Sequence, residues 1–478
     1  MSKIVLNYLY NMLYQFSMVI SPVILTPYVA RVLNVDSIGK YNYAFAIVSV
    51  LLVLGQLGTN MYGQREIAFS KGDKQERTEV FWNIFIIRII THILLLPIYY
   101  VCVLHQQHCA PILYIMLIYV VSSMVDLGWF YQGIEAFRII TVRNIGIKIL
   151  GIVFVLYCVK SDDDLLLYTF ILAASQFIGN IYLWQKMPLY ISKINVKKLD
   201  IKKDFINTLK IFVPTIAVYV YTFLDKILIG ILSNDLEVAY YTQAEKLVKM
   251  LMTVITSLGI VLLPRLSAEL KDGKVSILKD KFKVIIAFVF GVGTPMLFGC
   301  LGVSEDFIPW FLGNRFQESI LIFQILSPLI IIIGLASVAG QAILIPLRLE
   351  RVYTISILAG AVLNLIFNFI LIPNHGALGA AIATIIAEFM VTMIQICVVF
   401  KLLNVKLKLF YSLIKNYLFG SVVVFAMCEI IKNFNIAAAE KIALSIIISI
   451  TTYTIMLYKL RDKYTLLLKD YITNKRTQ

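Results

Sequence analysis

Apolar residues come along this chain in long runs, most of them about twenty residues, the length a helix needs to cross the hydrocarbon core of a bilayer. Hydropathy places fourteen of them, at 6–29, 42–62, 81–104, 112–130, 139–159, 165–184 and 211–232, then 247–263, 284–303, 320–345, 355–372, 377–400, 414–431 and 442–460. Short polar stretches separate them. Barrel strands would be shorter and would alternate apolar with polar. The pattern therefore predicts an all-α, polytopic membrane protein of about 14 transmembrane helices. Composition agrees: of 478 residues 60% are hydrophobic and only 15% charged, and the mean hydropathy is +0.85.

The formal charge of +15 invites a nucleic-acid reading, but its placement argues against one. Basic residues gather in alternate loops: Arg65, Lys71, Lys74 and Arg77 after the second run, Arg138 and Arg143 after the fourth, and a lysine-rich segment at 187–210 after the sixth. Arg265 to Lys283, Arg348 with Arg351, and Lys401 to Lys415 follow the eighth, tenth and twelfth. The loop between the third and fourth runs has no Lys or Arg, and 161–164 is acidic. Cytoplasmic loops carry the excess of Lys and Arg, so both termini are expected in the cytoplasm. Topology and anionic lipid account for the charge, and no nucleic-acid partner is needed.

The halves resemble each other at an offset of about 200 residues, far longer than any solenoid period. IGKYNYA at 38–44 aligns with VAYYTQA at 238–244, and Arg65, Lys71 and Lys74 fall on Arg265, Lys271 and Lys274. Six runs separate the copies, so they share one orientation. That predicts two pseudo-symmetric six-helix bundles, 1–204 and 205–408, followed by two further helices and a basic cytoplasmic tail at 409–478. Like-oriented repeats related by an axis along the membrane normal are a transporter architecture.

Ionisable groups inside apolar runs are the next signal, because a charge at mid-membrane costs about 2.5–3.5 kcal/mol on insertion scales. Asp225 and Lys226 sit past the midpoint of 211–232. As sequence neighbours they point about 100° apart on a helix, which disfavours a simple mutual pair. Either they face a hydrated path or neighbouring helices satisfy them. Arg88 and Asp126 in the first half, and Glu245, Lys246, Lys249 and Glu388 in the second, are further candidates. Glu245 and Lys249, four apart, can pair. Asn7, Asn11 and Gln15 make one polar stripe on the first run, and Asn364 with Asn368 repeat the spacing on the eleventh. Both stripes fit sugar contacts or ordinary interhelical hydrogen bonds.

Enzyme signals are missing. There is no Walker A loop, HExxH, GxSxG or paired-carboxylate cluster, so no catalytic residue and no cofactor is expected. The six cysteines are scattered, without CxxC. Cys102, His105, His108 and Cys109 share one short loop, yet the strictness of zinc geometry makes a metal site there improbable. A transporter is the leading class. A membrane-embedded glycosyltransferase acting on polyprenyl lipid is the alternative from another class.

Six ordered stretches carry a resemblance: PVILTPYVARVL at 22–33, YGQREIA at 62–68, WFYQGIE at 129–135, LDKILIG at 224–230, YYTQAEK at 240–246 and LPR at 263–265. Together they resemble the polysaccharide repeat-unit flippases, the Wzx type, of the multidrug/oligosaccharidyl-lipid/polysaccharide exporter superfamily. Asn34 departs from the family pattern, which has glycine there. The resemblance implies a bacterial cytoplasmic-membrane flippase that moves an undecaprenyl-pyrophosphate-linked oligosaccharide from inner to outer leaflet by alternating access, for surface polysaccharide biosynthesis. Membrane lipid, a polymerase and a chain-length regulator are the implied partners. Arg31, Arg65, Arg88, Lys226, Lys246 and Lys249 would meet phosphate or sugar, the alternative for Arg31 and Arg65 being ordinary anchors at the membrane interface. Asp126, Asp225 and Glu388 would couple an ion. A cation-coupled drug exporter and a lipid II flippase are the alternatives within the superfamily. The exporter would carry carboxylates in its first runs, and 6–29 has none.

Overall fold

The computed structural model describes residues 20–70, 73–194, 199–271, 275–405 and 407–460. Asn7, Asn11 and Gln15 lie outside them. The chain divides into two compact units, Met1–Ala239 and Tyr240–Gln478. Helix is the regular structure of both, and no strand occurs among the described residues. Ten stretches of the described chain are long and apolar enough to cross a membrane, and one of them, 53 residues long, is interrupted. The chain is an all-α, multi-pass membrane protein of about 10–14 apolar helices.

The first unit begins with α1 (Ile20–Val32) and α2 (Val35–Gln56). Asn34 joins them in an extended conformation, φ −69° and ψ 156°. The turn therefore needs no glycine, which explains how asparagine stands there. Its backbone N–H and side-chain amide both donate to Asp162, each at 2.7 Å. The run at 42–62 is not one helix. Leu57 and Gly58 both take left-handed conformations, ending α2 and starting α3 (Thr59–Phe69). Next come α4 (Lys74–His105), capped by the Asp73 carboxylate, then α5 (Ala110–Met124), the short α6 (Gly128–Gly133), α7 (Phe137–Cys158), α8 (Leu165–Trp184) and α9 (Ile201–Leu232). α5 packs against α2 and α8, α8 against α7, and α9 against α2, α3 and α4.

The base of this unit is aromatic. Phe81, Phe130 and Tyr131 are fully buried, Trp129 nearly so, and Phe81 stacks on Trp129 with ring centres 5.9 Å apart. Two glycines make this packing possible. A Cβ on Gly63 would lie 2.4 Å from the Trp129 ring, and one on Gly133 would lie 2.7 Å from Ile67. The YGQREIA and WFYQGIE stretches are thus packed face to face. A buried carboxylate ties in α9: Asp204 accepts from Tyr62 at 2.6 Å and from the Asn83 amide at 2.7 Å.

In the second unit, α10 (Asp235–Lys271) leads from Tyr240 to α11 (Val275–Leu312). The apolar run at 320–345 folds as α12 (Ser319–Leu326), α13 (Leu329–Ala336) and a π-helical turn, Ser337–Leu344. Pro328, which lacks an N–H, stands at the first break. The runs at 355–372 and 377–400 form one long element, α14 (Glu350–Leu402), broken at Gly376 with φ 53° and ψ −129°. α15 (Leu407–Lys432) and α16 (Ala438–Lys459) pack on each other and on α11. Ser421 donates to Thr294 at 2.7 Å, and Tyr453 donates to the Gly291 carbonyl at 2.9 Å. Such bonds between small polar side chains and backbone are typical glue between membrane helices.

Candidate functional site

Within the first unit, α1, α2, α5, α7 and α8 line a partly open cavity of about 420 Å³. One wall is aromatic, made by Tyr41 and Phe45 of α2 and Tyr119 of α5. Another is amide and hydroxyl, with Gln56, Ser122, Ser123, Ser175, Gln176 and Asn180. Asp126 and Lys148 are the Asp/Glu/Lys/Arg side chains among its lining residues.

The polar wall is held by a bonded network. Asn180 donates to the Ser122 carbonyl and to its hydroxyl, both at 2.9 Å. Gln56 donates to the Ser123 hydroxyl at 3.1 Å and accepts from the Asn60 amide at 2.9 Å. Asp126 lies in the turn between α5 and α6, where it accepts from the Gly128 N–H at 3.1 Å. An aspartate bonding to backbone two residues ahead is a favoured turn geometry.

Two arginines flank that carboxylate. Arg143 Nη2 is 3.5 Å from Asp126 Oδ1, and its Nη1 donates to Asn180 Oδ1 at 2.9 Å. Arg88 Nη2 is 3.9 Å from Asp126 Oδ2. Arg88 also donates through Nε to the Ser123 carbonyl and through Nη1 to Asn60, both at 2.9 Å. The Arg88 side chain has no exposed surface, whereas that of Asp126 is 22% exposed. Arg88 is an internal tie behind the wall, and Asp126 is the member of this pair that lines the cavity.

Of the residues singled out from sequence, the structure brings Arg88 and Asp126 together here, and Arg31, Arg65, Asp225 and Lys226 of the same unit are not among the residues that line the cavity. Arg31 is exposed, with Nη1 on the Pro27 carbonyl of its own helix at 2.9 Å. Arg65 is exposed, pairs with Glu66 at 3.0 Å and covers the Tyr62 ring. Asp225 and Lys226 are both buried, and the Lys226 ammonium sits 5.2 Å from the Phe223 ring centre. Lys249 pairs with Glu245 one turn away at 2.6 Å, and Lys246 is half-buried. Asn364 and Asn368 are fully buried, the second donating to the first at 3.0 Å. Glu388 is half-buried on α14.

Sequence reasoning passed over Lys148, Arg143 and Asn180. Lys148 had a signal, an ammonium near the middle of the run at 139–159. Arg143 was counted with the loop charges, but it lies in α7 and is buried. Asn180 had one too, lying four residues after Gln176 on α8, the spacing of the amide stripes noted elsewhere.

The loop holding Cys102, His105, His108 and Cys109 takes another form. His105 bonds the Val101 carbonyl of its own helix, and His108 lies 3.7 Å from the Asp235 carboxylate. Burial raises the Asp235 pKa, and the Asp36 charge adds to this, while His108 and Lys40 oppose it. No group of three or more metal-ligating side chains occurs among the described residues.

A family model described as "Polysaccharide biosynthesis protein" matches residues 4–269. A "Putative O-antigen transporter" of Escherichia coli (strain K12) is 21% identical over 398 residues, 82% of this chain and 95% of that protein. "Capsular polysaccharide biosynthesis protein CapF" of Staphylococcus aureus is 23% identical, over 76% of this chain and 90% of its own length. Among solved structures, the lipid II flippase MurJ in an inward closed conformation matches with a TM-score of 0.72 at 15% identity, covering 96% of this chain and 99% of its own. An inward-facing MATE family multidrug transporter of the MOP superfamily matches at 0.62 with 13% identity, covering 82% and 96%. At these identities the structural likeness is one of fold.

Proposed function

The chain belongs to the polysaccharide biosynthesis protein family, and on that footing we propose that it is a flippase for a polyprenyl-pyrophosphate-linked oligosaccharide repeat unit. It carries the unit from the inner to the outer leaflet of the bacterial cytoplasmic membrane by alternating access. Both termini face the cytoplasm, and the chain performs no covalent chemistry. The observation that carries the reading is the family match, which spans more than half of the chain; relatives named for O-antigen transport and capsule biosynthesis support it.

The physical logic is that of a charged, hydroxyl-rich head passing through a layer that excludes both. The polyprenyl tail stays in lipid. The pyrophosphate needs cations along its path, and Lys226, Lys246, Lys249, Arg31 and Arg65 are assigned that part. Lysine serves as a point charge and arginine as a planar fork. Asn364 and Asn368 are assigned to the polar lining, and Asp126, Asp225 and Glu388 to ion coupling, since carboxylates within membrane helices are costly and serve relays and ion paths. A polymerase and a chain-length regulator take the product onward.

Reconstitution tests this directly. Proteoliposomes loaded with lipid-linked oligosaccharide, without acceptor sugar, are probed with a membrane-impermeant glycosidase. The expected result is protein-dependent exposure of the inner-leaflet pool. Protection equal to that of empty liposomes refutes transport, and elongation of the saccharide on adding a sugar donor would make the chain a transferase.

A further inference from the structure

We propose that His108 and Asp235 form a pH-operated latch that holds the start of α10 on α2, closed by a proton on the imidazole and released when that proton leaves. The latch is independent of what the chain carries. Only the membrane face on which it lies rests on the flippase reading.

The seat comes first. Gly39 and Tyr43 stand four apart on α2 and so share one side of it. A Cβ on Gly39 would overlap the Asp235 carbonyl, and one on Gly230 would overlap the Tyr43 ring. The last turn of α9 and the first residue of α10 are therefore both seated directly on α2. Tyr43 also holds the turn that carries His108. Its hydroxyl donates to Gln106 Oε1 at 3.1 Å, and its ring centre lies 5.4 Å from that of His108.

Charge supplies the switch. The Asp235 side chain is 12% exposed and that of His108 43%. Asp235 Oδ1 is covered and accepts no hydrogen bond among the described residues. Its Oδ2 lies 3.7 Å from His108 Nε2. That separation is too long for a hydrogen bond, so a neutral imidazole gives the carboxylate little. An imidazolium at the same place makes an ion pair and offsets part of the cost of covering the charge. Histidine is the side chain whose ordinary titration falls between pH 5 and 8.

The other groups around the pair are engaged elsewhere or carry no charge near neutrality. Lys40 pairs with Asp36 one turn away at 2.6 Å. Asp162 receives both donors of Asn34. Tyr43 and Cys109 present a phenol and a thiol to Asp235, and Glu237 follows on the same turn of α10. Burial and the Asp36 charge raise the Asp235 pKa, against His108 and Lys40. In strong acid Asp235 thus takes up its own proton and the pair is lost. The latch is closed in the window between the two titrations and opens as pH rises through that of the imidazole.

With cytoplasmic termini, the turns at 33–34, 106–109, 159–164 and 233–234 face outward. Asn34 meets Asp162 and His108 meets Asp235, so these turns are joined in pairs, as a common face requires. The first unit ends at Ala239, four residues past Asp235. What the latch fixes is the chain's exit from that unit, held by an acidic exterior and freed by an alkaline one.

The experiment is hydrogen–deuterium exchange of the full-length protein in detergent at pH 6 and pH 8, corrected for the intrinsic rate and read on a peptide covering 233–241. Exchange by local opening reports how often the segment lifts. Opening is expected to be about three- to fivefold more frequent at pH 8, the value of one partly exposed ion pair. His108→Gln and Asp235→Asn should each show the frequent opening at both pH values. His108→Lys, cationic throughout, should show the rare opening at both. His105→Gln, an exposed histidine of the same loop, should keep the step. Equal opening at the two pH values in the parent, a step that survives His108→Gln or Asp235→Asn, loss of the step in His105→Gln, or His108→Lys behaving like His108→Gln would each overturn the latch. The measurement needs neither substrate nor transport, so its failure leaves the flippase reading standing, and failure of translocation leaves the latch.

Discussion

Replacing Arg88 with methionine separates a structural tie from a substrate contact. The side chain has no exposed surface and donates two hydrogen bonds at 2.9 Å, to the Ser123 carbonyl and to Asn60. Polar bonds between membrane helices are worth up to about 1–2 kcal/mol each, and two charged ones place the loss at roughly 2–4 kcal/mol. The stranding of Asp126 adds little, because Arg143 remains at 3.5 Å and the Gly128 N–H at 3.1 Å. Methionine is flexible enough to fill most of the vacated space. At about 2–4 °C per kcal/mol for a unit of this size, Arg88→Met should melt roughly 5–15 °C below the parent in detergent. Arg88→Lys should recover less than half of that, since one ammonium cannot reproduce the guanidinium fork. The assay is fluorescence-detected thermal unfolding, run beside the liposome translocation assay. A variant that melts with the parent yet loses translocation would refute the tie and return Arg88 to the substrate path.

Other perturbations read other parts of the molecule. Gly63→Leu drives a side chain into Trp129, where a Cβ alone would come within 2.4 Å; overpacking of about 1–3 kcal/mol should lower the melting temperature, and an unchanged melt would contradict the close packing of α3 on α6. Lys226→Ala should block surface polysaccharide export while membrane abundance stays constant; normal export ends its assignment to the phosphate path. Asp235 carries a pH prediction. Its folded-state pKa is raised above the ordinary 3.8, so the unfolded chain ionises first and stability falls as pH climbs from below 3.8 through the folded-state value. Asp235→Asn should flatten the melting-temperature profile across that window, and a profile parallel to the parent would show that this half-buried carboxyl is not its cause.

The helices were legible because apolar length alone sets them: the run at 165–184 is α8, that at 139–159 is α7 within two residues at each end, and that at 81–104 is α4, which starts earlier, at Lys74. Breaks within apolar runs were harder. Leu57–Gly58 and the π-turn at Ser337–Leu344 leave no mark on hydropathy, since they change how backbone groups pair without changing what the side chains prefer. The cavity was illegible for a different reason. Ser122 with Ser123, Lys148, and Ser175 with Gln176 and Asn180 lie on three separate apolar helices, and only the packing of α5, α7 and α8 makes them neighbours. Arg88 and Asp126 were visible as charges in the wrong solvent, but Asn60 and Ser123, which fix Arg88, were not.

The meeting of YGQREIA with WFYQGIE at Gly63 and Gly133 bears on how kinship among such chains is interpreted. Both stretches are framework: they shape the joint of α3 with α6, and neither lines the chamber. A scan keyed to them will group exporters by the joint they share and stay blind to what each one carries. Two chains hauling unlike glycans would score alike. Cargo has to be sought outside that joint, at positions whose exchange leaves the lineage signal untouched.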